Sequence, residues 1–419
     1  MKSMVSKGNS RNVRFVRCVL VPVIALAVLS SCAWAQGART AEWVYNRPYL
    51  TWQGDPCTTM TINWHSEEAP KKVEVRYDTE KREGKAKKYA HKVEGKSWQI
   101  PGLPDGRFIN SVELTGLAPG TAHYFVLTGP KGKFSEEFAF KTIPNDGSPI
   151  HFVTGGDQSP SPAARKLCEL SGKEAPMFTL IGGDLAYANG DLKNARIWDG
   201  WLKNWMDGMV TPDGLLVPMV LAIGNHETNK EIGEQEEIAP FYFGYFPQGG
   251  SVFFSRVFGP NLQIIALDSG HIVSHSKQTP WLREQFEKNA GVKHHIPVYH
   301  VPFWPSHRDF EGGGSVAGRE QWMPLFDEFK VPVAFENHDH TFKRTVAIRN
   351  GEKNPEGTVY LGDGCMGVGA REIKNGDAWY IEKASSTQHF WVVDVDANGV
   401  SCRAIDIEGR EFDQWKTGN

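Results

Sequence analysis

An all-β sandwich followed by an α/β sandwich is the fold class this sequence predicts, and three observations predict it. The chain has 419 residues, too many for one ordinary core, so two domains are expected. Residues 41–143 carry segments that alternate polar and apolar, such as Thr59-Met60-Thr61-Ile62-Asn63-Trp64 and Lys72-Val73-Glu74-Val75-Arg76-Tyr77. These are strands with one buried face. From Ile150 onward, short runs of β-branched and large aliphatic residues are separated by helical stretches, the alternation of an α/β layer structure. Composition is globular, at 40% hydrophobic and 23% charged residues. The formal net charge of -3 gives no push toward nucleic acid or an anionic membrane.

The first 35 residues read as a targeting signal. Lys2, Lys7, Arg11, Arg14 and Arg17 precede an apolar run, Cys18 to Leu29, that is too short to span a bilayer comfortably. Ala33-Trp34-Ala35 is a small-x-small cleavage site. The protein is therefore expected to be exported, periplasmic or secreted. Leu29-Ser30-Ser31-Cys32 resembles a bacterial lipobox, which would make Cys32 a lipid anchor. Simple cleavage is favoured over it, since Ala33-Trp34-Ala35 fits at least as well, and no transmembrane anchor is expected afterwards. Cys57, Cys168, Cys365 and Cys402 then remain, in no zinc-binding spacing. Pairing of Cys365 with Cys402 and buried free thiols are both open.

In the first domain, Val112–Leu117 leads through Pro119-Gly120 into Thr121–Leu127, with Tyr124 near the start of the second strand. This resembles the E–F corner of a fibronectin type III domain. Trp64 and Tyr124 are expected in its core, and Phe134 to Thr142 as its closing strand. Residues 144–149, Pro-Asn-Asp-Gly-Ser-Pro, form a turn-rich linker. The second domain is expected over 150–410, with helices at Pro162–Leu170, Ile197–Trp205 and Trp281–Lys288. A long insertion at 228–258 holds Phe241-Tyr242-Phe243-Gly244-Tyr245-Phe246, read as core packing beneath a loop rather than as a substrate rim. The turn dipeptide Asn398-Gly399 predicts a C-terminal hairpin, placed at the sheet edge.

Five apolar runs of the second domain end in residues able to bind hard or borderline metals. Ile150–Val153 leads to Asp157, and Met177–Ile181 to Asp184 and Tyr187. Val217–Ile223 leads to Asn225, His226 and Glu227, Ile296–Tyr299 to His300, and Val331–Phe335 to His338 and His340. Ligand sites of α/β sheets lie at the carboxyl ends of strands. The donor set contains carboxylates, imidazoles, a phenol and an amide but no thiolate, which disfavours structural zinc. Seven donors would crowd one ion, whereas two ions about 3.5 Å apart can share a carboxylate.

These blocks, in this order, resemble the purple acid phosphatases, within the calcineurin-like metallophosphoesterases. The resemblance covers residues 150–345 and extends to the β domain in front. It implies a four-layer α/β sandwich and an exported phosphatase that hydrolyses phosphate monoesters by attack of a metal-bound hydroxide. Ser159 stands where many metallophosphoesterases carry a histidine ligand, and Tyr187 replaces that ligand. The resemblance therefore implies Fe(III) held by Asp157, Tyr187 and His340, with Asp184 bridging. A divalent Fe, Zn or Mn would be held by Asn225, His300 and His338. It also implies that His226 contacts the phosphate or leaving group, that Glu227 supports from behind, and that His307 is a second proton donor. A small phosphate ester is the expected partner, and no nucleic acid. The competing functions are a phosphodiesterase or nucleotide hydrolase, and a non-catalytic cell-surface binding protein.

Three departures from the family pattern bear on the fold. Asn337 stands where the family has glycine before the first histidine, and is expected to accept positive φ in its place. Phe342 and Lys343 replace tyrosine and glutamate. Simpler readings apply elsewhere: Asp157 and Asp184 singly as helix caps, Asp268 as a turn residue, and His271, His294 and His295 as surface or loop residues. Gly362–Gly367 lacks the Lys-Ser/Thr of a P-loop and is read as a tight loop near the site.

Overall fold

The computed structural model describes residues 45–418. Residues 1–35, read above as an export signal, and with them Cys32, lie outside the described residues. Among those, no helix is long and apolar enough to cross a membrane.

The N-terminal part is two four-stranded antiparallel sheets. One orders Tyr49–Thr51, Met60–Ser66, Phe108–Leu114 and Lys96–Trp98; the other His91–Glu94, Glu74–Asp78, Ala122–Leu127 and Phe138–Lys141. Ile62, Trp64 and Val112 of the first share a core with Val75, Phe125 and Phe140 of the second. Trp64 is fully buried, as expected. Tyr124 is not: it is only half-buried, and Lys81 Nζ lies 5.5 Å over its ring. Successive strand residues face opposite ways, and Phe125 takes the core position. The corner is held instead by Thr142, whose hydroxyl donates to Ala118 O at 2.6 Å and accepts from Thr121 N at 2.9 Å.

The second part contains two larger sheets. The six-stranded one orders Met219–Leu221, Phe178–Ile181, Ile150–Gly155, His389–Val395, Val400–Asp406 and Glu411–Lys416. The seven-stranded one orders Phe254–Phe258, Leu262–Ala266, His294–Val298, Val333–Phe335, Val359–Gly362, Phe342–Thr345 and Ile381–Ser385. Strand alternation assigns the layers. Phe152, Leu180 and Val393 share a core with Ile264, Val298 and Phe335, so the two sheets face each other. Val153, Ile181 and Val392 point the other way, onto Leu167, Trp201 and Leu202 of the helices Pro162–Lys173 and Ala195–Gly208. Ile265 and Ala334 likewise meet Leu282, Phe286 and Phe326 of the helices His275–Lys288 and Met323–Glu328. The order is helix, sheet, sheet, helix.

The first helix starts where Ser161 caps it, accepting from Ala164 N, with Pro162 at its first position. The third expected helix begins earlier than its pattern suggested, at His275, and carries Pro280 inside. A proline in the second turn removes one backbone donor without ending the helix. The 228–258 insertion forms the short helix Pro240–Tyr245, whose Phe241, Tyr242 and Tyr245 are buried. Tyr49 donates from its hydroxyl to Tyr245 O at 2.6 Å, so this cluster is core and joins the two parts.

Several expectations are corrected. The hairpin His389–Val395/Val400–Asp406 is interior to its sheet, paired with Ile150–Gly155 on one side and Glu411–Lys416 on the other. The edge strand therefore continues past residue 410, to Lys416. Cys365 and Cys402 are not bonded; all four described cysteines are free and buried. His294 and His295 lie on a strand, and His295 is buried.

Candidate metal centre

Register brings the five tips to one end of the fold. Ile181 pairs in parallel with both Gly155 and Leu221, which levels the first three tips. Val298 pairs with Phe335, which levels the other two. The tips therefore converge from two facing sheets.

Hydrogen bonds then stitch neighbouring tips together. Asp157 N, Gln158 N and Ser159 N donate to Gly183 O, Asp184 O and Leu185 O. Glu227 accepts from three backbone donors at 2.8 Å each: Asp184 N, Leu185 N and Gly224 N. Burial, then the charge of Asp184, raises the Glu227 carboxyl to about 7, while those donors oppose the rise. Asn337 does not adopt the positive φ expected of it; His338 and His340 do, at 75° and 58°. The Asn337 side chain instead donates to Tyr299 O at 3.0 Å. It fills the space beside Gly156 and Gly182, where a Cβ would sit 2.3 and 1.8 Å from it. Gly224 and Gly364 are required for the same reason: a Cβ would lie 2.3 Å from Asp184 Oδ1 and 1.9 Å from Asp157 Oδ2.

Two donor sets result. In the first, Tyr187 Oη lies 3.1 Å from Asp157 Oδ1 and 3.0 Å from His340 Nε2, which is itself 3.0 Å from Asp157 Oδ1. In the second, His300 Nε2 lies 3.1 Å from Asp184 Oδ2, 3.2 Å from Asn225 Oδ1 and 3.0 Å from His338 Nδ1. Atoms around one cation at about 2.1 Å, with right angles between bonds, are spaced about 3.0 Å apart. Asp184 is within ligand reach of both sets, one with His300 and His338 and one with Asp157 and His340.

The second set fits a cation on chemistry as well as spacing. His300 Nδ1 lies 2.9 Å from Gly182 O, which can only accept, so Nδ1 carries the proton and the neutral ring has its lone pair at Nε2. That lone pair faces two oxygens and another ring nitrogen. Asp184 Oδ2 is buried and makes no aligned hydrogen bond, despite its 3.1 Å contact with His300. Without an ion, the strain is relieved by a proton. Burial alone would lower the His300 pKa, but Asp184 and Asp157 push it up to about 9. Burial and then Asp157 and Asp184 push the Tyr187 phenol far above its ordinary range. A tyrosinate there requires a cation. Two overlapping sets of hard and borderline donors make a dimetal centre.

His226 flanks the donors. Its backbone N donates to Asp184 Oδ1 at 2.8 Å, and its Nε2 lies 3.9 Å from Asp184 Oδ2. Its Nδ1 is held by Asn189 Oδ1, and its ring packs 4.2 Å from that of Tyr187. His307 joins neither donor set. Its N is bonded to Asp339 Oδ2 and its Nδ1 to Glu372 O, each at 2.8 Å, and it lines a cavity with His338. Asp157 and Asp184 cap no helix; Ser161 caps the helix that follows Asp157. Asp268 is the turn residue expected, accepting from the N–H groups of His271, Ile272 and Val273. His271 is a loop residue, as expected, but its ring lies 5.6 Å from that of His300 and its Nε2 is buried without a hydrogen-bond partner. Neither Asn189 nor His271 carried a sequence signal, as each is an isolated polar residue in a loop.

Comparison with known proteins agrees with this architecture. Residues 45–142 match the family model of the purple acid phosphatase N-terminal domain, and residues 149–342 that of the calcineurin-like phosphoesterases. Two uncharacterized proteins of Mycobacterium tuberculosis are 26% identical over 281 residues, 58% of this chain and 51% of theirs. The chain thus spans about half the length of these relatives. A purple acid phosphatase of Glycine max is 26% identical over 379 residues, covering 79% of this chain and 78% of its own. An Fe(3+)-Zn(2+) purple acid phosphatase of Arabidopsis thaliana is 27% identical over 265 residues, 58% of this chain and 53% of its own. The solved structure of a purple acid phosphatase from yellow lupin seeds superposes with a TM-score of 0.72 at 18% identity, over 88% of this chain and 73% of that one. With its donor blocks in family order and both domains matched, the chain belongs to the calcineurin-like phosphoesterases and carries the N-terminal domain of the purple acid phosphatases.

Proposed function

We propose that this protein is an exported dimetal phosphatase acting on phosphate monoesters. The observation that carries the reading is the second donor set, where His300 Nε2 and Asp184 Oδ2 face each other with no proton to share in the neutral ring. Asp157, Tyr187 and His340 would hold a trivalent iron, since an anionic phenolate favours a hard, highly charged ion. Asn225, His300 and His338 would hold a divalent ion, with Asp184 shared. The Fe(3+)-Zn(2+) name of the Arabidopsis relative supports that pairing. The ions supply Lewis acidity, both as positive charge for the phosphate oxygens and as a lowered pKa for the attacking water.

The protein's own groups do the rest. Asn189 Oδ1 accepts from His226 Nδ1 and fixes the ring, so Nε2 donates to a phosphate or leaving-group oxygen when the ring is protonated. Glu227 holds the backbone of Asp184 and Gly224, so the shared carboxylate cannot swing. His307 serves from the neighbouring cavity as a second proton donor. Export is supported by the basic, apolar and small-x-small order of residues 1–35.

The test is spectroscopic. Iron-loaded protein is expected to show a visible tyrosinate charge-transfer band that Tyr187→Phe abolishes, together with hydrolysis of an aryl phosphate. A colourless iron protein, or a band that survives in the variant, would refute the iron–tyrosinate assignment. No hydrolysis after loading with iron and zinc or manganese would refute the phosphatase reading.

A further inference from the structure

A cavity of about 800 Å³ opens directly beside His338. That volume admits a whole small molecule rather than a bare phosphate. Its lining is unequal in charge. Arg308 and Lys374 stand on its wall with one carboxylate, Asp309, and Lys374 Nζ lies 3.8 Å from the exposed Glu372 Oε1. Arg308 is fixed rather than free: its Nη2 donates to His338 O at 3.3 Å, and Arg371 Nη1 approaches the same carbonyl at 3.4 Å. Two guanidiniums thus converge on one oxygen. Asp339 Oδ1, 3.4 Å from Arg308 Nε, offsets one of these two charges but makes no aligned hydrogen bond with it. Arg308 Nε is buried and has no hydrogen-bond partner.

The opposite wall adds donors. The helix Gly313–Gln321 begins at this cavity, with Gly312 at its cap position. It has no capping side chain and no acidic residue in its first turn. Its open N–H groups and positive dipole end therefore face the same space as Arg308 and Lys374. Among the described residues, none that is aromatic lines the cavity other than His307 and His338, which gives no broad stacking platform for a nucleobase or aryl group.

We propose that this cavity is a subsite for a second anionic group on the substrate. The preferred substrates are then small, non-aromatic phosphate monoesters whose alcohol part carries a carboxylate or another phosphate. The assignment rests on the phosphatase reading above, since it places the ester phosphate at the metal centre next to His338. Arg308, Lys374 and the turn at Gly313 are specificity-determining in this scheme and take no part in bond breaking.

Kinetics on the metal-loaded full chain test it with three probes: glycerol 3-phosphate, 3-phosphoglycerate and 2,3-bisphosphoglycerate. The added carboxylate or phosphate is expected to raise kcat/KM about tenfold over glycerol 3-phosphate, as one charge-assisted hydrogen bond would. Comparison of the second and third probes separates a carboxylate site from a phosphate site. In Lys374→Met the advantage is expected to fall severalfold, mainly through KM, and to become less sensitive to salt. Arg308→Gln is the second variant, read by the same ratio so that a general loss of activity cancels. Equal kcat/KM for all three probes, or an advantage untouched in both variants, would overturn the subsite while leaving the phosphatase reading in place. If none of the probes and no aryl phosphate is hydrolysed, both fail.

Discussion

Replacing Lys343 with methionine should destabilise the fold by about 3–5 kcal/mol at neutral pH, the usual cost of leaving buried charges without their partner. Lys343 is fully buried. Its ammonium contacts Glu336 Oε2, Asp363 Oδ1 at 2.7 Å and Trp304 O at 2.7 Å. Burial alone would lower its pKa, but Asp363 and Glu336 raise it, so the side chain stays charged. Methionine fills most of the volume but leaves two carboxyl groups in a dry interior. Those groups also hold the loop that carries His300: Glu336 Oε1 accepts from Tyr299 Oη and Phe303 N, and Asp363 Oδ2 accepts from Ser306 Oγ.

The pH dependence makes the test specific. Burial already raises the Asp363 carboxyl, and Lys343 opposes that rise. Without Lys343 the cluster must take up one more proton than the wild type. A native state that binds an extra proton loses stability as pH rises. The deficit of Lys343→Met should therefore grow by up to about 1.4 kcal/mol per pH unit between pH 6 and 8. Urea unfolding of the metal-loaded protein, followed by tryptophan fluorescence at both pH values, measures it. Adding Glu336→Gln should recover part of the loss. A deficit below about 1 kcal/mol at pH 7, or one that ignores pH, would show that the ion cluster does not contribute as argued.

Two further outcomes are expected. A proton on His300, held to about pH 9 by Asp184 and Asp157, competes with metal, so zinc affinity should rise by up to about tenfold per pH unit from pH 6.5 to 9; calorimetric titration showing no such rise would count against His300 as a ligand. In the metal-free protein the same shift stabilises the fold fully below about pH 6.5 and is lost as pH rises through about 9. Arg107, fully buried and bonded to Asp199 of the helix Ala195–Gly208, should cost about 3–5 kcal/mol when changed to methionine. Cleavage at the 144–149 linker in limited proteolysis should then rise, and unchanged protease resistance would argue that this ion pair does not hold the β domain to that helix.

Much of the candidate site was legible because each candidate donor follows a short apolar run, and the end of a buried strand is a position that sequence marks clearly. Residue types at those ends singled out seven candidate donors, and the structure brings them to one end of the fold. The four-layer sandwich was implied by the family resemblance, but the residue pattern could not assign tips to sheets: the runs ending at His300 and His338 look like those ending at Asp157 and Asp184, yet they belong to the facing layer. Long-range partners were equally hidden. Asn189 beside His226, His271 beside His300 and the Glu336–Lys343–Asp363 cluster are contacts between loops with no periodic pattern. Tyr124 shows the opposite error, where a local turn pattern suggested a core residue and the neighbouring Phe125 won the space.

Asn337 carries the same lesson further. A glycine replaced by asparagine at a turn suggests that the asparagine inherits the turn's backbone. Here the positive φ falls on the candidate donors instead. Asp157, Asp184, Tyr187, His338 and His340 all have φ between 53° and 75°, a conformation that costs an L-residue about 1–2 kcal/mol. Five of seven donors therefore sit in a backbone state that none of them prefers. What holds them is the lattice between tips: Glu227 on Asp184 and Leu185, Asp157 Oδ2 on His338 N, and Asp184 Oδ1 on His226 N. Each bond ties a carboxylate on one tip to the backbone of another. The donors cannot relax singly, and the site is set by the meeting of the two sheets before any ion arrives. Strain of this kind persists only where surrounding structure over-determines it, and here that structure is made by the carboxylates of Asp157, Asp184 and Glu227.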